Sequence, residues 1–60
     1  MTVKYQYTFA DGKQEAKTIK NVKLIEDNGS FLKVVYDDNG VNSTIYFEKK
    51  KINYFDVEFN

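Results

Sequence analysis

The chemistry open to this chain is narrow. Its ionisable and aromatic side chains are nine lysines, nine carboxylates, five tyrosines and five phenylalanines, with no His, Cys or Arg. Without His or Cys, nucleophilic triads of the His-dependent kind are impossible. Disulfides are excluded, and a metal would have to be held by hard oxygen ligands. Metal-assisted phosphodiester cleavage needs carboxylates converging on Mg²⁺. The candidates are Asp11 and the Asp37-Asp38 pair, with Asp27 also available. All four sit where turns are expected, and Asp in a turn normally accepts a hydrogen bond from its own backbone. The expectation is therefore no catalytic residue and no cofactor, with a Mg²⁺-dependent DNA nickase as the minor alternative.

A second constellation combines lysines with rings. Lys17, Lys20 and Lys23 recur every third residue, and Lys49, Lys50 and Lys51 form a compact run. Lysines neutralise phosphates and exposed tyrosines stack on bases, which is how single-strand binders work. Against this stand zero net charge and the absence of Arg for bidentate base reading. The competing explanation is that the lysines guard sheet edges against aggregation. Charge is also uneven along the chain. Residues 1–25 carry five lysines against Asp11 and Glu15, whereas residues 26–48 set Lys33 against Glu26, Asp27, Asp37, Asp38 and Glu48.

The elements that position these groups are strands. Val3, Tyr5, Tyr7 and Phe9 alternate with polar residues. Leu32, Val34 and Tyr36 alternate with Phe31, Lys33 and Val35, and Phe55, Val57 and Phe59 with Tyr54, Asp56 and Glu58. A period of two places alternate side chains on opposite faces of a pleated strand. The prediction is a single all-β domain over residues 1–60, with five to six antiparallel strands in a small barrel or strongly curved sheet. The strands are expected near 2–9, 14–19, 22–26, 31–37, 42–48 and 52–59. A flat sheet stacked on a second copy is the alternative.

Turn residues separate the strands. Gly12 can take the positive φ that closes a hairpin, and Asn28-Gly29 and Asn39-Gly40 are type I′ signals. The second strand looks weakly amphipathic through Ala16 and either Thr18 or Ile19. Ile19 and Val22 are three apart, so a bulge or corner is expected at Lys20-Asn21. Lys49-Lys50-Lys51 should form a short turn.

This order of elements is similar to that of the small Sm-like and SH3-like barrels. The residues that carry the likeness are Phe31 to Tyr36, then Thr44 to Phe47 running into Ile52 to Val57. The resemblance implies a fold only. The chain lacks the helix of the Sm type and the Trp and Pro of the peptide-binding SH3 groove, so no function is carried over.

Ten aromatics in so short a chain exceed what one small core encloses, and a chain of this length buries only about 60% of its unfolded surface. A homodimer or homotetramer is therefore expected. Its interface should use Phe31 and Val35, which flank Lys33 on the second face of the fourth strand, together with Tyr46 and Tyr54. No stretch reads as a signal peptide or a membrane span, so the expected location is cytoplasmic. Asn28-Gly29-Ser30 and Asn42-Ser43-Thr44 fit the glycosylation sequon but are better explained as turn residues. Residues with AT-rich codons dominate, pointing to a low-GC bacterium, phage or plasmid.

The functional expectation is a non-enzymatic binding protein acting as a homo-oligomer, with DNA or RNA as ligand through Lys17, Lys20, Lys23, Lys49, Lys50 and Lys51. The alternative is a mobile-element protein of the anti-CRISPR type that blocks or evades a host nuclease.

Overall fold

The computed structural model of the protein describes residues 1–59. Six antiparallel strands follow one another: β1 (Thr2–Thr8), β2 (Gln14–Ile19), β3 (Val22–Asn28), β4 (Phe31–Asp38), β5 (Val41–Glu48) and β6 (Ile52–Glu58). They form two three-stranded sheets, ordered β2-β1-β6 and β3-β4-β5. The all-β expectation therefore holds, but the hydrogen-bonded strands do not run round a closed barrel. No helix among the described residues is long and apolar enough to cross a membrane.

Each hairpin follows from its turn chemistry. Between β1 and β2 the Gly12 N–H donates to the Phe9 carbonyl at 2.9 Å, and the Phe9 N–H donates to the Lys13 carbonyl at 2.8 Å. Gly12 then takes φ +87°, which completes a three-residue loop of the bulged kind. Asn39 and Gly40 both have positive φ, 52° and 87°, as a type I′ turn between paired Asp38 and Val41 requires. The β3–β4 hairpin differs from expectation. Asn28 pairs with Phe31 as the last rung, and only Gly29 has positive φ (75°). The loop is thus Gly29-Ser30 with Gly first, the pattern of a type II′ turn.

The break after Ile19 is a corner. Asn21 takes φ 59° there, and the chain leaves the first sheet to enter the second. The two sheets are bridged at this point. The Val22 N–H donates to the Met1 carbonyl at 2.9 Å, and the Asp37 N–H to the Asn21 carbonyl at 3.0 Å. The register between β3 and β4 then shifts between Val22 and Leu24, so Lys23 is an extra residue. That shift is what turns both Val22 and Ile25 inward although they are three apart.

The core lies between the inner faces. Val3, Tyr5, Tyr7 and Ile19 from the first sheet meet Val22, Val34 and Phe47 from the second. Phe47 joins the sheets most directly: its ring centroid lies 4.7 Å from that of Tyr5, 5.5 Å from Tyr7 and 6.2 Å from Phe55.

Several sequence expectations are corrected here. Phe9 lies beyond β1 and is exposed, although its ring still meets Tyr7 edge-on at 5.3 Å. Phe59 follows β6 and is 83% exposed, so it adds nothing to the core. Ala16 and Thr18 pair with Gln6 and Lys4, on the outer face of the first sheet. The inner face of β2 carries Glu15, Lys17 and Ile19 instead, opposite Tyr7, Tyr5 and Val3. A strand at the sheet edge tolerates this because long charged side chains reach water past the rim.

Candidate ligand-binding site

Lys49, Lys50 and Lys51 form one turn of 3-10 helix between β5 and β6. Two hydrogen bonds attach this turn to the body of the protein. The Glu48 N–H donates to the Tyr7 hydroxyl at 3.2 Å, and the Lys49 N–H donates to the Ser30 carbonyl at 2.9 Å. The second bond sets the lysines against the β3–β4 hairpin. The result is a hollow of about 390 Å³ lined by Ser30, Phe31, Glu48, Lys49 and Lys50. Phe31 is 41% exposed there.

The lysines at this end are partly engaged. Lys49 pairs with Asp27, and Lys51 with Glu48 at 3.5 Å. Lys50 makes no ion pair among the described residues. These pairs are exposed, where Coulomb attraction is offset by side-chain entropy and screened by salt.

The other three lysines are not one group. Lys17 lies beside Glu15 at 2.6 Å, while Lys23 donates to the Asn42 amide oxygen at 2.8 Å. Lys17 and Lys20 line a cleft of about 440 Å³ that Lys23 does not reach. The corner at Asn21 leaves Lys17 in the first sheet and Lys23 in the second. Asp37 and Asp38 share the cleft's rim, so its lysines are balanced charge for charge. The lysine hollow and this cleft have no lining residue in common.

Tyr5 and Tyr36 also line that cleft, with Ile19 and Ile45. Burial raises the Tyr5 phenol above its ordinary pKa, with the Glu15 carboxylate adding to the rise and Lys17 opposing it. Glu15 in turn raises the Lys17 ammonium by hydrogen bonding and charge. Alternation alone does not reveal this site. Counting register back from the Gly12 hairpin does, since a rung at Thr8 and Gln14 puts Lys17 opposite Tyr5.

The carboxylates serve turns. Asp11 accepts from the Lys13 N–H at 3.0 Å, Asp27 from the Gly29 N–H at 3.1 Å, and Asp37 from the Gly40 N–H at 3.4 Å. Asp11 belongs to the β1–β2 turn, whereas Asp37 and Asp38 precede the β4–β5 turn. Among the described residues no three acidic side chains come together in a group that could hold a metal.

Phe31, Val35 and Tyr46 lie on the outer face of the second sheet. Val35 is opposite Leu24, and Tyr46 is opposite Lys33, diagonal to both Phe31 and Val35. Leu24 and Tyr46 are 44% and 59% exposed, so the strip is open to water. Tyr54 is apart from them, opposite Gln6 on the outer face of the first sheet. The four residues named from sequence therefore occupy two separate surfaces.

Asp27 reports on the lysine hollow. A hydrogen bond from Lys49 is the main cause holding its carboxyl below the usual range, and the Gly29 N–H adds to it. A lowered folded-state pKa stabilises the fold above the unfolded value, near about 3.9 for Asp. That contribution is lost as pH falls through the depressed value. In a carbon-detected NMR titration, the Asp27 midpoint should be low and should rise in Lys49→Gln. An unchanged midpoint would mean that Lys49 does not engage Asp27 in solution. Comparison with family models, with curated proteins and with solved structures finds no match to this chain, so its function has to be read from the chemistry of these surfaces.

Proposed function

We propose that the protein is a non-enzymatic binding protein that acts as a homo-oligomer and takes nucleic acid as its ligand at the Phe31–Lys50 hollow. The observation that supports this is the placement of a half-open aromatic ring beside Lys49 and Lys50. A single strand needs both a face for base stacking and cations for its phosphates. Lys51 extends the charge along the same turn. Lys23 on the β3 edge and Lys20 in the separate cleft are secondary contacts in this reading, and Lys17 is held back by Glu15. In the same reading the bridged sheets work as one small, strongly curved barrel of the Sm/SH3-like pattern in the cytoplasm.

Fluorescence anisotropy with a labelled single-stranded oligonucleotide tests the ligand. Binding should be strongest at low salt and depend little on sequence. Each phosphate contact contributes a log–log salt slope of about −0.7 for single strands. Replacing Lys49, Lys50 and Lys51 together with Gln should weaken binding about tenfold and flatten the slope by about 2. Circular dichroism should show the fold retained. Absence of binding at about 50 mM salt would overturn the nucleic-acid reading and leave the same hollow to a protein partner.

A further inference from the structure

Four strands bound the two sheets: β2 and β6 in the first, β3 and β5 in the second. An edge strand offers unpaired N–H and C=O groups to any other chain, and native proteins blunt such edges with charges and bulges. Three of these edges are blunted. β2 turns the Glu15–Lys17 ion pair onto its inner-face positions. β3 carries the irregularity at Lys23, with Glu26 and Asp27 beyond it. β6 has a register shift against β1 beside Gln6 and Tyr7, and bears Asp56 and Glu58.

The β5 edge is different. From Val41 to Phe47 it contains no charge, no Pro and no Gly. Its register on β4 runs unshifted from Phe31–Glu48 to Asp38–Val41. Val, Thr, Ile, Tyr and Phe give it high strand propensity. Beyond its ladder with β4, it is held by two contacts near its ends: the Glu48 N–H donates to the Tyr7 hydroxyl, and the Asn42 amide oxygen accepts from the Lys23 ammonium. Val41 and Tyr46 are 64% and 59% exposed.

We infer that β5 is the seam of a symmetric dimer, pairing antiparallel with β5 of a second copy. The inference rests on the homo-oligomer part of the proposed function and names its surface. A two-fold axis perpendicular to the sheet sets an antiparallel strand beside its own image. A second copy fits because the uncharged stretch brings no like charges together across the axis. The β6 edge would instead set Asp56 and Glu58 near their images. Pairing would join the two copies as one continuous sheet, ordered β3-β4-β5-β5-β4-β3. It also carries Tyr46 to the seam, so the strip of Leu24, Val35 and Tyr46 continues into the partner.

Two measurements test this together. Sedimentation velocity over a concentration series should show a dimer that dissociates on dilution. Amide exchange by NMR should show the β5 amides that do not bond to β4 protected, by at least about tenfold relative to the diluted protein. Thr44 is exposed in the middle of β5. Thr44→Lys should therefore run as a folded monomer with those amides exchanging fast. A dimer whose outward β5 amides exchange as fast as in the monomer would overturn the seam while leaving the oligomer in place. A larger assembly protecting β6 as well as β5 would overturn it in favour of a head-to-tail ring. A monomer at every concentration would overturn both the seam and the homo-oligomer reading.

Discussion

Phe47→Ala is expected to destabilise the protein by about 3–5 kcal/mol. The ring is 4% exposed and is the second sheet's contact with Tyr5, Tyr7 and Phe55 of the first. Truncation removes its transfer free energy and leaves a cavity between two sheets that share few backbone bonds. Each neighbouring ring also loses an edge or tilted contact, worth about 0.5–1.5 kcal/mol beyond area burial. A domain of this size is stable by only about 3–9 kcal/mol, so the variant should lose most or all of its folded population. Urea titration followed by tyrosine fluorescence reads the loss directly. A midpoint corresponding to less than about 1 kcal/mol would mean that the sheets are held by something other than this cluster.

Tyr7→Phe should cost about 1–3 kcal/mol while keeping the packing of the ring. Its hydroxyl is the acceptor for the Glu48 N–H at 3.2 Å, and Tyr7 is 9% exposed. Removing one oxygen leaves a half-buried backbone donor without a partner, and that penalty exceeds the worth of the bond itself. The effect should also be local, because Glu48 is the residue from which the Lys49–Lys51 turn springs. Amide exchange at Glu48 and Lys49 should rise more than at Val34 in the core. Uniform acceleration across all strands would indicate global destabilisation alone and remove Tyr7 from any role in positioning the lysines.

Local chemistry made much of the fold legible. Alternation in β1 and β4 identified Val3, Tyr5, Tyr7 and Val34 as inward residues, and they are buried. Gly12 and Asn39-Gly40 marked hairpins because positive φ is cheap only at a few residue types. The three-residue gap between Ile19 and Val22 marked a corner for the same local reason. Asn28-Gly29 was legible as a turn but not as to type, since the rung at Asn28 and Phe31 moves the loop one residue on.

What the sequence by itself determined is therefore the all-β class, the strand boundaries to within a few residues and most of the inward faces, because these depend on period and turn chemistry within a few residues. Only the tertiary structure decided which groups share a surface. Lys17 and Lys20 parted from Lys23 because the chain turns a corner at Asn21 and leaves the first sheet for the second. Asp11 stayed away from Asp37 and Asp38 because the turns that hold them belong to different sheets. Lys49 and Lys50 came to lie beside Phe31 through the β4–β5 register, which sets Glu48 opposite Phe31, and the bond from the Lys49 N–H to the Ser30 carbonyl that extends it. The first two separations depend on how the chain passes from one sheet to the other, and the last on register accumulated along a whole hairpin, neither of which alternation within a strand carries.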